Sequence, residues 1–159
     1  MNVLKFLPML ALLSFVMVSC GDDDDDEDEP APTRSQLITS QSWSVVSLNV
    51  EPAIDLDGNG TQENNLIPFL QACDLDDFLK LNANGTFTEE EGASKCDPNN
   101  PQVIQSGVWI WNSDETRVVL TAGGQSTEYV VTALSSTALT TTETLVVQNV
   151  TYTFTTTYN

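Results

Sequence analysis

The sequence predicts an all-β fold: an antiparallel up-and-down β-barrel of about eight strands with little helix. Three observations carry this. Short runs rich in Val, Ile, Thr and aromatic residues recur from residue 43 onward, bounded by Asn, Asp, Gly and Ser. Most connections between them are tight, which keeps consecutive strands adjacent and antiparallel. A 3.6-residue apolar period is almost absent. An open meander of this length leaves two unpaired edges, and closure into a barrel removes both. A two-sheet sandwich is the alternative, and the short turns favour up-and-down order over its crossovers.

The elements follow in order. Residues 43–50 form a β-branched run. The only helix candidate is 65–72, a turn or two with Pro68 near its start. Residues 78–81 and 86–90 flank Asn84-Gly85, a strong hairpin signal because both residues tolerate positive φ. Residues 103–111 follow, closed by 112–115. The next runs are 116–121, then 127–134 after the turn Gly123-Gly124. Residues 138–142 and 145–156 complete the chain. Near the end, Val150, Tyr152 and Phe154 share one face while Thr151, Thr153 and Thr155 share the other. Trp109 and Trp111 share a face opposite Val108 and Ile110. Both faces are apolar, so the pattern does not decide which one is interior.

The first residues carry one positive charge, Lys5, before an apolar run over 6–18. A membrane span needs about 20 residues, so this run suits a signal-peptide core instead. It ends in Val16-Met17-Val18-Ser19-Cys20, which resembles the lipobox of bacterial lipoproteins. The resemblance implies diacylglycerol on the thiol of Cys20, cleavage before it, and acylation of the new amine. Two or more acyl chains anchor stably, at about 0.8 kcal/mol per buried CH₂. Gly21 and eight consecutive acids, Asp22 to Glu29, come next. They repel one another and stay solvated, and Pro30, Pro32 and Ser35 extend the linker. The expected organisation is a signal peptide (1–19), a lipidated Cys with an acidic disordered tether (20–35), and a barrel domain (36–159). The acidic run is similar to the surface-export signal of Bacteroidota lipoproteins. That implies an outer-membrane anchor facing the cell surface; a plain spacer on the periplasmic face is the alternative.

The chain carries 23 acidic and 5 basic residues, a formal net charge of −18. Beyond the signal peptide the bases are Arg34, Lys80, Lys95 and Arg117. Such a surface repels nucleic acid and favours cations. With Cys20 lipidated, Cys73 and Cys96 remain, and in an oxidising compartment such a pair forms a disulfide. The absence of His argues against a transition-metal site and against an activated thiol. There is no nucleophile elbow and no phosphate loop, so no enzyme activity is expected.

Several segments together resemble a known family. They are Ser42-Trp43, Cys73-Asp74-Leu75-Asp76-Asp77-Phe78, Asn84-Gly85-Thr86-Phe87, Lys95-Cys96, Gly107-Val108-Trp109 and the stretch from Tyr129 to Leu139. In this order they look like the lipocalin-like domains of Bacteroidota lipoproteins. The resemblance covers nearly the whole folded part. It implies a small closed or half-open antiparallel barrel without established catalytic residues. True lipocalins carry Gly-x-Trp on their first strand; here Gln41 stands at the Gly position, so barrel geometry transfers better than any ligand.

Two sites are candidates. Asp55, Asp57, Asn59, Thr61 and Glu63 place oxygen donors at alternate positions, with Gly58 and Gly60 letting the backbone curl, which is what calcium requires. The first positions match an EF-hand loop, but the twelfth is Leu66, not Glu, and the same residues are ordinary turn formers. Asp74, Asp76 and Asp77 form a second acidic group beside Cys73, which reads as a solvated strand entry; a contribution to the same cation site is the alternative. The aromatic residues Trp43, Phe87, Trp109, Trp111, Tyr129 and Tyr152 are candidates to line a ligand cavity; the alternative is that they, with Phe78 and Phe154, fill a core. Two functions therefore stand: a barrel that binds a small apolar ligand at the cell surface, or a filled barrel whose loops contact a protein or glycan partner. The barrel interior discriminates between them.

Overall fold

Nine strands form one antiparallel sheet in the computed structural model, which describes residues 30–159. The signal peptide, Cys20 and the acidic run lie outside the described residues. The strands are β1 (Ser42–Ile54), β2 (Glu63–Asn65), β3 (Phe78–Leu81), β4 (Thr86–Glu90), β5 (Val103–Trp111), β6 (Arg117–Ala122), β7 (Gln125–Leu134), β8 (Leu139–Val147) and β9 (Val150–Tyr158). Each strand from β3 to β9 pairs with the next, and β9 returns to pair with β1. Eight strands thus close an up-and-down barrel, with β2 as a short flank on β1.

Closure depends on the length of β1. Its first residues, Ser42 to Ser44, pair with β3 on one side. Further along that side, Asn49 and Ile54 pair with β2. Its other side runs along β9 from Val45–Tyr158 to Glu51–Thr153, with an irregularity between Val45 and Ser47. An irregularity of this kind bends the strand and increases its twist, as a small barrel requires.

A short helix, α1 (Arg34–Ile38), precedes β1. The sequence pattern does not signal it, since five residues cannot display a helical period. A capping box starts it: Thr33 Oγ1 accepts from the Gln36 amide, and Gln36 Oε1 accepts from the Thr33 amide. α1 closes one end of the barrel. Its Ile38 is buried, and the carbonyl of Ile38 accepts from Trp43 Nε1 at 2.8 Å. Arg34 donates from Nε to the Glu115 carbonyl and lies over the Trp111 ring, 5.3 Å from its centroid.

The helix expected at 65–72 reduces to a single 3₁₀ turn, Ile67–Phe69. Asn65 is taken by strand pairing with Asn49, and its side chain caps the Ile67 amide. The hairpin at Asn84-Gly85 is present, with only Gly85 at positive φ (81°). The break expected near 143–144 is absent. Glu143 and Thr144 pair with Phe154 and Thr153, and β8 continues to Val147. The turn instead falls on Gln148 and Asn149, both at positive φ (49° and 65°), a conformation suited to a tight hairpin. Gln is a poor signal for it, which is why the sequence hides the turn.

Strand register settles the interior. Trp43, Leu79, Leu81, Phe87, Trp109, Val118, Val131 and Leu139 face inward with Tyr158, and the most buried of them form the core with Ile38. Trp109 and Trp111 are inside, in an edge-to-face pair with centroids 6.2 Å apart. Val108 and Ile110 face out. Gly107 faces in, opposite Phe87; a Cβ there would collide with the Thr121 carbonyl and the Phe87 ring. Its small size lets β4, β5 and β6 curl closely over Phe87.

This arrangement predicts opposite outcomes for neighbours on β5. Trp109, 6 % exposed, should cost about 3–5 kcal/mol on change to Ala. Ile110, 63 % exposed, should stay within about 0.5 kcal/mol on change to Ser. Urea unfolding of both variants checks the assignment of faces.

Candidate functional site

The core does not fill the barrel. A cavity of about 270 Å³ remains above it. This lies just below the range of about 300–1,000 Å³ typical of small-molecule sites. Its floor is Ile38, Trp43 and Leu81, and its walls include Val118, Leu120, Val131 and Leu139. These residues come from α1 and five different strands, so the apolar surface is a product of closure and not of any one segment.

The other side of the cavity is polar. Thr141, Tyr129 and Tyr158 contribute hydroxyls, and Glu89 contributes a carboxylate. Asp74 and Asp77 line it from the loop before β3. Burial pushes the Tyr129 phenol up to about 12, with the nearby charges of Glu143 and Glu89 adding to the effect. Burial also raises Tyr158, and hydrogen bonds from Thr141 and Thr156 pull it partly back. Glu89 is raised by burial and by the charge of Asp77. Asp77 is raised by burial, against the opposing effect of a hydrogen bond from the Gly92 amide, with Asp76 and Asp74 adding repulsion.

The acidic loop is fastened at several points. Cys73 and Cys96 form a disulfide with Cα atoms 5.3 Å apart. Closing the intervening loop stabilises the fold by about 3 kcal/mol in the chain-entropy account. Asp76 Oδ2 accepts from both the amide and the hydroxyl of Ser94 at 2.9 Å, which holds its carboxyl below the ordinary value. Asp77 Oδ1 accepts from the Gly92 amide. Gly92 packs so closely on Asp76 that a Cβ would overlap its backbone. The sulfurs are bonded to each other and do not act as metal ligands.

The six aromatic candidates separate by depth. Trp43 and Tyr129 line the cavity. Phe87 and Trp109 are packed in the core. Trp111 lies against that core beneath Arg34. Tyr152 is half-buried on β9, paired with Leu145, and is outside the cavity lining. The sequence reading missed Glu89, Thr141 and Tyr158 as cavity residues. For Glu89 a signal exists: it occupies the inward phase of the strand set by Phe87.

The calcium candidates lie apart from the cavity, in the loop between β1 and β2. Carboxylate oxygens of Asp55, Asp57 and Glu63 come within 4.8 Å of one another. The loop closes on itself: Gly60 N donates to Asp55 Oδ2, Leu56 N to Glu63 Oε2, and Asn59 N to Asp57 Oδ1. Asn59 Oδ1 accepts from the Thr61 amide. Asp55 Oδ1 is buried without a hydrogen-bond partner. An orphaned anionic oxygen beside two further carboxylates fits a hard cation.

No protein-family model matches the chain, and no curated protein matches it.

The raised carboxyls set a direction for stability against pH. Between the ordinary carboxylate range and the raised folded values, the folded chain holds more protons on Glu89 and Asp77 than the unfolded chain does. Stability is therefore fully present below that range and is lost as pH rises through it. Glu89→Gln should raise the melting temperature by a few degrees at neutral pH and give no gain near pH 3, below the usual range of about 4. Thermal unfolding followed by circular dichroism at both pH values checks it. A loss of stability at neutral pH would mean that a partner holds the ionised form.

Proposed function

We propose that this protein is a lipid-anchored outer-membrane lipoprotein of lipocalin-like type, and that its barrel binds a small, largely apolar ligand at the cell surface. One observation carries the binding half of this reading: an apolar cavity of about 270 Å³ inside a closed barrel, with a few convergent polar groups at one side. A barrel serving only as a scaffold for loop contacts has no use for internal space, because an unfilled volume forfeits packing energy. The cavity therefore favours ligand binding over the filled interaction module. The anchoring half rests on the residues before the barrel: the lipobox-like segment ending at Cys20 and the acidic run after it.

In this reading the apolar floor and walls supply affinity through burial, at about 25 cal/mol per Å². Thr141, Tyr129 and Tyr158 orient a polar group of the ligand. Their hydroxyls both donate and accept, and both tyrosines stay protonated at neutral pH.

Native mass spectrometry of protein isolated from its own host should show a retained small molecule. Val131→Phe, which fills the cavity from its wall, should remove it while circular dichroism stays unchanged. Protein isolated without any bound molecule, together with failure to bind eight-carbon amphiphiles of any head group in calorimetry, would overturn the reading.

A second reading concerns the β1–β2 loop: Asp55, Asp57 and Glu63 hold Ca²⁺. The buried, partnerless Asp55 Oδ1 favours it. Extracellular modules bind calcium at about 10⁻⁴–10⁻³ M. Calorimetry at millimolar Ca²⁺ should therefore show binding that Asp55→Ala with Asp57→Ala removes. Absence of heat in the parent protein would end this reading.

A further inference from the structure

The cavity is apolar, but its charge is one-sided. Glu89, Asp74 and Asp77 line it, and no Lys or Arg does. Among the described residues every base is engaged elsewhere or turned away. Arg34 is held over Trp111 and bonded to the Glu115 carbonyl. Lys95 Nζ donates to the Asn100 carbonyl at 2.8 Å. Arg117 pairs with Glu128 across the outside of β6 and β7 at 2.6 Å. Lys80 is exposed, on the outward phase of β3 between the inward Leu79 and Leu81.

The Glu89 carboxylate is the most informative of these groups. It stands on the inward face of β4, two residues from the buried Phe87. Among the described residues it has no salt bridge, and nothing donates a hydrogen bond to it that would offset its burial. Glu89 is partly buried, and a carboxylate withdrawn from water is normally paired or hydrogen-bonded, because desolvation otherwise penalises its charge. The groups facing it are Asp77 from the loop before β3, Tyr129 on β7 and Tyr158 on β9, and behind the two tyrosines stands Glu143 on β8. All are acids or phenols, and none is a cation.

We infer that the ligand of this cavity is a cationic amphiphile: a small apolar body seated on Trp43, Val118 and Leu139, with a protonated amine held against Glu89. This rests on the reading of the barrel as a ligand-binding site and names the class of ligand it takes. The ammonium supplies the missing counter-charge and donates to Glu89. A neutral ligand of the same shape gains the burial but leaves Glu89 without a partner. A carboxylate-bearing ligand brings a second negative charge into the same low-dielectric space, where repulsion is strong. Fatty acids are therefore the ligand class this barrel disfavours, despite its apolar walls.

The test uses three probes with one eight-carbon chain and different head groups: octylamine, 1-octanol and octanoate. Each is titrated calorimetrically at neutral pH into the intact folded protein. Octylamine should bind about tenfold more tightly than octanol, and octanoate more weakly than either. Glu89→Gln should shrink the amine-to-alcohol ratio to within about threefold. Glu90→Gln removes the same charge from the outward-facing neighbour and should keep the ratio. Binding of octanol and octylamine with equal affinity to the parent protein would overturn the charge preference and leave the cavity reading standing. An unchanged ratio in Glu89→Gln would also overturn it. Failure of all three probes to bind would overturn the ligand-binding reading itself.

Discussion

The pairing of β1 with β9 is the constraint on which the rest of the molecule depends. β1 is thirteen residues long because it meets three partners. Its first residues pair with β3, its last with β2, and its other side runs along β9. β1 therefore has hydrogen-bonded neighbours on both sides, and so does the chain's final strand. The edge problem of a long meander is solved by this one contact. Closure then fixes the inward phase of every strand, since a slip of one residue in any ladder would turn its apolar set outward. Trp43 shows the linkage. It sits at the start of β1, is 1 % exposed, and bonds back to α1 through Nε1, so the closing strand also carries the plug at its own end.

Closure makes the two ends of the barrel unlike. At the end that carries the hairpins after β3, β5 and β7, α1 and the two tryptophans of β5 give a packed floor. Towards the other end the inward positions change from Trp, Leu and Val to Glu, Thr and Tyr. β3 and β4 are short, with 4 and 5 residues, so the wall is low on that side. Loop residues 70–77 and 91–102 stand where longer strands would be. They bring Asp74 and Asp77 against the cavity, and the disulfide between Cys73 and Cys96 joins the two loops. The low wall and its acidic lip therefore have a single origin: the barrel is closed by strands of unequal length, and a crosslinked loop pair occupies the gap.

Much of this was legible in the residues. The strand runs, the hairpin at Gly85, the turn at Gly123-Gly124 and the pairing of Cys73 with Cys96 all announce themselves through local chemistry. What local chemistry left undecided was orientation. Val108 and Ile110 are as apolar as Trp109 and Trp111, and only the ladders to β4 and β6 say which pair is inside. The turn at Gln148-Asn149 was hidden because Gln is not a turn signal and the Thr-rich segment before it allows a break at several places. The cavity was harder still. Its lining comes from segments as far apart as Ile38 and Tyr158, and no window of sequence contains it. The acidic triplet at Asp74, Asp76 and Asp77 reads as a solvated strand start, and only the fold separates its members: Asp76 is bonded to Ser94, while Asp74 and Asp77 line the cavity.

That separation bears on how the charge of the site is held. Acidic side chains on a loose loop would move apart to relieve their repulsion and would take up water and salt ions. Here the loop is held by a covalent bond, by two hydrogen bonds from Ser94, by one from Gly92, and by a glycine packed too tightly to admit a Cβ. Fixed in this way, Asp77 stays close enough to raise the proton affinity of Glu89, and Glu89 cannot retreat because its strand is paired on both sides. The rigidity thus maintains an unfavourable concentration of like charge at the edge of an apolar chamber. In the proposed reading, a ligand able to neutralise this charge offsets the cost of a feature that is otherwise unfavourable and braced from several directions.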